Sequence, residues 1–382
     1  MSSERSHTEV LIAGGGVAAV EAALALRARA GDLVRVTLLA PNPEFSLRPV
    51  SVGEPFGHSA ARTYSLERIA ADLRLQRHED SLNWVDTDAR VVHTEHGLAL
   101  EYDALLLALG ARTYSSFKFA ITLHPSALDE QMRGVVQDVE GGYLHSLAFV
   151  IPSTRTWPLP IYELALMTAA RAREMNVDLE ITLITPEDAP LAVFGSAVSQ
   201  EVATLLQERG ITTLTSSRCV MREPRRLTVH PANRQIVADQ VIALPELRGP
   251  AIPGIPRSAA GGFISTDRYG HVAGVDRVFA AGDLTDFPIK HGGIAAQQAD
   301  AAADAIAALA GAAIAPQPIV PILSGQLWSG AGALHLRALV TGTHGSTSSV
   351  STAPRRTPAT KIDALYLAPY LESLDHLAAT AA

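Results

Sequence analysis

Gly14, Gly16 and Ala19 are spaced as G-x-G-x-x-A, with the apolar run VLIAG before them and VAAVEAALALRARA after. At a strand-to-helix turn, glycines let the backbone approach a pyrophosphate, and the helix amino terminus turns free N–H groups toward its charge. The pattern therefore predicts a dinucleotide phosphate site at Gly14, Gly15, Gly16 and Ala19. The second strand of such a unit normally ends in an acid that holds the adenine ribose. Here VTLLAP ends at Ala40, which leaves Asn42, Glu44, or backbone and water for that contact. A second unit of the same rhythm starts at Leu147, but residues 152–158, PSTRTWP, contain no glycine. Pro158 and Pro160 also remove N–H donors that a pyrophosphate needs. This turn reads as a rigid, partly apolar wall whose Trp157 and Tyr162 face a substrate pocket. Glu163 reads as a first-turn acid supporting its own helix, with an acid/base role as the alternative.

The single cysteine, Cys219, excludes an internal disulfide, a C-x-x-C pair and a cysteine-rich metal site, and is read as structural. His58, His145 and His291 are isolated, without metal-ligand spacing. Only three lysines, Lys118, Lys290 and Lys361, stand among 31 basic residues, so a lysine at 290 suggests a point charge or an adjustable pKa, with a solvated surface lysine as the alternative. With 382 residues, 47 % of them hydrophobic and 18 % charged, the chain has material for two folded domains. A net charge of −8 argues against nucleic acid as a partner. The first residues lack the apolar stretch of a signal peptide, and the run from Ala301 to Leu323 is interrupted by Asp304, Pro316, Pro318 and Pro321. A cytoplasmic protein is expected, with peripheral membrane contact left open.

Three segments taken together, LIAGGGVAAVEAA, YDALLLALGAR and VFAAGDLTDFPIKHGG, resemble the FAD-dependent pyridine nucleotide-disulfide oxidoreductase superfamily. The details are most similar to its branch of sulfide:quinone oxidoreductases, flavocytochrome c sulfide dehydrogenases and type II NADH dehydrogenases. The resemblance implies an α/β fold of two Rossmann-like dinucleotide-binding domains and a short C-terminal segment. Residues 1–113 and 261–320 would form a discontinuous FAD-binding domain, 114–260 a degenerate NAD(P)-binding-like domain, and 321–382 the C-terminal segment with a flexible loop at 342–361.

It also implies FAD contacts at Ala108 and Gly110 and, toward the ribityl-pyrophosphate side, at Gly282 and Asp283, the latter otherwise an ordinary helix cap. Lys290, Gly292, Ala295 and Gln298 match the branch's K-x-G-x-x-A-x-x-Q. A helix beginning near Ile294 and the Lys290 charge would favour the negative charge that flavin gains on reduction. Arg48, Pro49 and Leu82 complete the implied contacts. The implied function is an FAD-dependent oxidoreductase passing electrons from an unidentified donor to a quinone or other acceptor without a cysteine relay. A non-catalytic electron-transfer flavoprotein and an NAD(P)H:acceptor reductase with an atypical nicotinamide site are the alternatives. Implied partners are a small-molecule substrate or quinone-like acceptor, and a second copy or a membrane surface at the C-terminal segment.

Overall fold

The computed structural model describes residues 7–59, 62–341, 344–352 and 361–381. Its helices are α1 (Val17–Arg29), α2 (Leu66–Leu73), α3 (Leu128–Glu140), α4 (Leu159–Glu174), α5 (Ser196–Glu208), α6 (Gly292–Leu309) and α7 (Leu367–Ala381). Two five-stranded parallel sheets organise the chain. The first runs, in spatial order, Val278–Ala280, Ala104–Leu107, Thr8–Ala13, Val34–Leu39 and Gln76–His78. The second runs Ile121–Thr122, Gln240–Ala243, Ser146–Val150, Glu180–Ile184 and Ile211–Leu214. An antiparallel pair, Arg112–Tyr114 with Glu246–Arg248, connects them. The architecture is that of two Rossmann-like domains.

Strands covered on both faces have no solvent side to mark, so they read as unbroken apolar runs such as ALLL and VFA. On one face of the first sheet, α1 and α6 pack through alanines, including Ala22, Ala25, Ala299 and Ala302, small enough to let the helices lie close. On the other face, Leu11, Leu105 and Val278 pack with Val85, Val92 and Tyr102. Glu21 is buried in α1, where its carboxylate accepts hydrogen bonds from the Tyr366 and Leu367 N–H groups at 3.0 and 2.5 Å. The negative charge thus meets the amino terminus of α7.

The C-terminal segment departs from the expected loop. Ile322–Trp328, Ala333–Thr341 and His344–Ser351 form a three-stranded antiparallel sheet. Along its first strand, Leu323, Gly325 and Leu327 are buried in alternation. A side chain at Gly325 would start 2.9 Å from Phe194 and 3.4 Å from Leu159, so the glycine lets this sheet lie on the start of α4. The Ser/Thr-rich His344–Ser351 pairs as a strand because its neighbour supplies the ladder and the apolar face. Positions 342–343 and 353–360 of the anticipated loop lie outside the described residues.

Candidate functional site

The carboxyl ends of three neighbouring strands of the first sheet, at Ala13, Leu107 and Ala280, bring three turns to one edge. Gly14 has φ +131°, and a Cβ there would lie 2.2 Å from the Ala108 carbonyl oxygen, so the glycine and Ala108–Gly110 turns touch backbone to backbone. A Cβ at Gly15 would meet Leu66 Cδ1 at 2.8 Å, whereas Gly16 opens onto space with nothing within 4 Å. Gly16 is the N-cap of α1 and supplies no side-chain cap, leaving the first-turn N–H groups to an external acceptor. Ala19 is buried behind them. Gly282, with φ +89°, lies against Ala18 and Ala295, where an added Cβ would stand 3.3 and 3.6 Å away. The starts of α1 and α6 and the Gly282–Asp283 turn therefore form one cradle, whose shape and N–H groups fit a dinucleotide diphosphate.

Asp283 is half-buried and makes no hydrogen bond among the described residues. Burial pushes its pKa up against the attraction of Lys290 and Arg48. It does not cap α6, because His291 holds that position and accepts a hydrogen bond from Gly293 N at 3.2 Å. The carboxylate is thus left for a ligand donor. The helix begins at Gly292, two residues before the expected start. Gln298 accepts from Gly282 N at 2.8 Å and donates to Thr285 Oγ1 at 3.2 Å, so it supports the turn.

Lys290 is an interior ammonium. It is 5 % exposed, donates to the Thr285 carbonyl and lies 3.9 Å from the Phe263 ring centroid. Burial lowers its pKa to about 8, with Asp283 and Asp286 opposing the shift. Burial likewise lowers the pKa of neighbouring His291 to about 4. Arg48 is exposed and Pro49 half-buried at the start of the turn Arg48–Phe56. Leu82 packs beside Leu11 and Leu105 on the sheet's other face. Ala40 is buried, while Asn42 and Glu44 are exposed.

The second sheet's edge is built differently. The 152–158 turn folds on itself: Thr156 Oγ1 donates to the Pro245 carbonyl at 2.9 Å, and Arg155 N donates to Ser153 Oγ at 3.2 Å. Trp157 is half-buried between Phe194 and His291, at ring-centroid distances of 5.7 and 4.6 Å. Tyr162 does not line a pocket. It is completely buried, because α4 packs residues 161–168 inward all round, and its hydroxyl donates to Glu187 at 2.7 Å. Glu187 follows Glu180–Ile184, the second strand of the β-α-β unit that begins with Ser146–Val150, where a ribose-binding acid belongs in a dinucleotide unit. Its carboxylate also accepts from Thr185 Oγ1 at 2.9 Å, and burial raises its pKa to about 7. Sequence reasoning passed over Glu187, although the acid closing ITLITPE was the available signal.

Glu163 also departs from its first-turn reading. Its fully buried carboxylate reaches across to the C-terminal segment, accepting from Lys361 Nζ at 2.7 Å and from Trp328 N at 3.0 Å. Lys361 Nζ lies 3.4 Å from the Trp328 ring centroid. Lys361, placed in the anticipated loop, is a buried ion instead.

Cys219 packs with the Ala148, Val150 and Val229 cluster, apart from the α4 cluster that holds Tyr162 and Trp157. Burial pushes its pKa up to about 12, so it offers no thiolate. Among the described residues no group of three His, Cys, Asp or Glu side chains is arranged for a metal, and no helix is long and apolar enough to cross a membrane.

Comparison with known proteins agrees with this geometry. Residues 163–304 match the profile of the pyridine nucleotide-disulphide oxidoreductase family. The chain is 26 % identical over 265 residues to a sulfide-quinone reductase of Aquifex aeolicus (strain VF5), a match covering 64 % of this chain and 59 % of that protein. It thus spans under two thirds of that curated relative. The sulfide:quinone oxidoreductase structure from the hyperthermophilic bacterium Aquifex aeolicus superposes with a TM-score of 0.78 at 18 % identity, over 90 % of this chain and 87 % of the other. A ferredoxin reductase from Rhodopseudomonas palustris gives 0.66 at 20 % identity, over 88 % and 83 %. These two likenesses establish the fold. Residues 163–304 are thus similar to the pyridine nucleotide-disulphide oxidoreductase family, and the chain as a whole carries a single cysteine.

Proposed function

We propose that this chain is an FAD-dependent oxidoreductase that passes electrons from a small-molecule donor to a quinone-like acceptor without a thiol relay. The observation that carries the reading is the convergence of the Gly14–Gly16, Ala108–Gly110 and Gly282–Asp283 turns on one edge beside buried Lys290. When bound, FAD supplies the two-electron redox chemistry. The N–H groups at the start of α1 would hold its diphosphate, Asp283 would accept a hydrogen bond from it, and Lys290 would keep a positive charge near its redox-active end. With one high-pKa thiol, no residue of this chain takes over the redox step, and transfer is direct between donor, cofactor and acceptor.

A nicotinamide donor held in the usual Rossmann manner fits poorly. The Trp157–Pro160 turn offers few N–H groups, and the Glu187 carboxylate is already engaged by Tyr162 and Thr185. The deciding experiment is anaerobic. Protein reconstituted with FAD should show one FAD per chain, no bleaching of the flavin band with NADH or NADPH, and, once the flavin has been photoreduced, prompt return of the band on adding a short-chain quinone. Failure to retain FAD, or prompt bleaching by NADH, would overturn the proposal.

A further inference from the structure

The two connector strands and the loop that follows them enclose a second site, separate from the dinucleotide edge. Arg112 and Tyr114 of one strand, Arg248 at the end of the other, and Gly249, Arg257 and Gly262 of the following loop are among the residues that line a cleft of about 670 Å³. It shares no lining residue with the glycine turns or with Asp283. Three guanidinium groups, from Arg112, Arg248 and Arg257, line it, and no Asp or Glu does. Arg155 adds a fourth at the rim, its Nη1 standing 2.7 Å from where a Cβ on Gly261 would be.

This concentration of positive charge runs against the chain as a whole, which carries a net charge of −8 and pairs many of its arginines. Arg29 meets Asp304 at 2.8 Å and Arg133 meets Asp129 at 2.7 Å. In the cleft, Arg248 has only a loose 3.9 Å approach to Glu246, and Arg112 and Arg257 make no ion pair among the described residues.

The strand register gives a second, independent observation. Arg112 and Arg248 are directly opposed across the antiparallel pair, and like charges in that relation destabilise a sheet. Arg248 is partly accommodated over the Tyr114 ring, 4.8 Å from its centroid. The loop itself is made possible by glycines. A Cβ at Gly249 would lie 2.2 Å from the Gly262 carbonyl oxygen, while Gly261 and Gly262 take φ of +85° and +72°. A closely fitted backbone floor under opposed, uncompensated guanidinium groups is an arrangement that an anion completes, since arginine forks match the oxygens of phosphate and carboxylate.

We propose that this cleft binds a small oxyanion carrying at least two negative charges, such as a diphosphate or a dicarboxylate. Bound there, it bridges the strands that join the two sheets and relieves the Arg112–Arg248 opposition.

The test uses FAD-saturated protein and isothermal titration with inorganic pyrophosphate and, separately, with succinate. Saturable binding of either supports the proposal, and the tighter of the two identifies the oxyanion class. Arg112→Gln with Arg257→Gln should weaken that binding at least ten-fold, whereas Arg222→Gln, on the Arg218–Glu223 strand, should leave it unchanged. Arg112→Gln alone should raise or preserve the thermal midpoint of ligand-free protein, which keeps the binding result separate from misfolding. No saturable binding by either probe, or equal affinity in the double variant, overturns the proposal. Pyrophosphate lodged in an unfilled glycine turn would survive the double substitution, so this failure is distinguishable from failure of the FAD reading.

Discussion

Glu187→Gln isolates the charge that closes the second dinucleotide edge. In the folded protein burial pushes the Glu187 carboxyl up to about 7, from about 4.5 for an ordinary glutamate. The folded state therefore holds a proton that the unfolded chain has released between about pH 4.5 and 7, and stability falls as pH rises through that window. Above pH 7 the penalty is complete. The rise from about 4.5 to about 7 corresponds to about 3 kcal/mol, and at pH 5 less than about 1 kcal/mol of it has developed. Glutamine keeps an oxygen for the Tyr162 hydroxyl, its amide can donate to a reoriented Thr185 hydroxyl, and it never ionises. Urea unfolding at constant ionic strength should find the variant more stable than wild type by about 3 kcal/mol at pH 8 and by less than about 1 kcal/mol at pH 5. Parallel curves across that range, or a variant that is weaker at pH 8, would refute both the assigned protonation and the idea that Glu187 is an internally satisfied acid.

Lys361→Met should cost about 3–5 kcal/mol in urea unfolding, because it leaves Glu163 buried and unpaired. Adding Glu163→Gln should restore most of that loss, since glutamine still accepts from Trp328 N; no recovery would mean that the pair is not the source. Asp283→Ala should weaken FAD binding to apoprotein by about 1.5–3 kcal/mol, the range for a hydrogen bond to a charged group, and unchanged affinity in a fluorescence titration would remove the role given to that carboxylate. Lys290→Met should lower the two-electron potential, with about 30 mV for each 1.4 kcal/mol, and Lys290→Arg should retain much of the wild-type value. Because Lys290 loses its proton near pH 8, the gap between wild type and Lys290→Met should close as spectroelectrochemistry is carried above that pH, and a gap constant to pH 10 would contradict the assignment.

The features readable in the sequence are those imposed by the backbone over short distances. Gly14 must be glycine because the Ala108 turn leaves no room for a Cβ, and such a demand is visible in a run of six residues. The prolines at 158 and 160 spoke equally clearly against a second phosphate turn. Tyr162 was unreadable for a different reason. Helix α4 buries almost every residue from Leu159 to Ala172, so no polar stripe marks which way a tyrosine faces, and only the tertiary position of Glu187 decides it. The buried ions were hidden by separation along the chain. Lys361 finds Glu163 across 198 positions, and Glu21 meets the start of α7 across 345 and 346. Taken singly, each has the appearance of an ordinary helix or surface charge.

These long-range ions bear on function as well as on folding. Lys361 fastens the C-terminal segment to α4, and the next residue, Ile362, lies 3.4 Å from where a Cβ on Gly292 would stand at the start of α6. A segment whose Ser, Thr and Pro content suggested an exposed loop thus ends by joining the helix of the closed second edge to the helix that opens the first. The Glu163–Lys361 pair is consequently placed to set the position of the α6 amino terminus beside Lys290, where the charge of a reduced cofactor would have to be held.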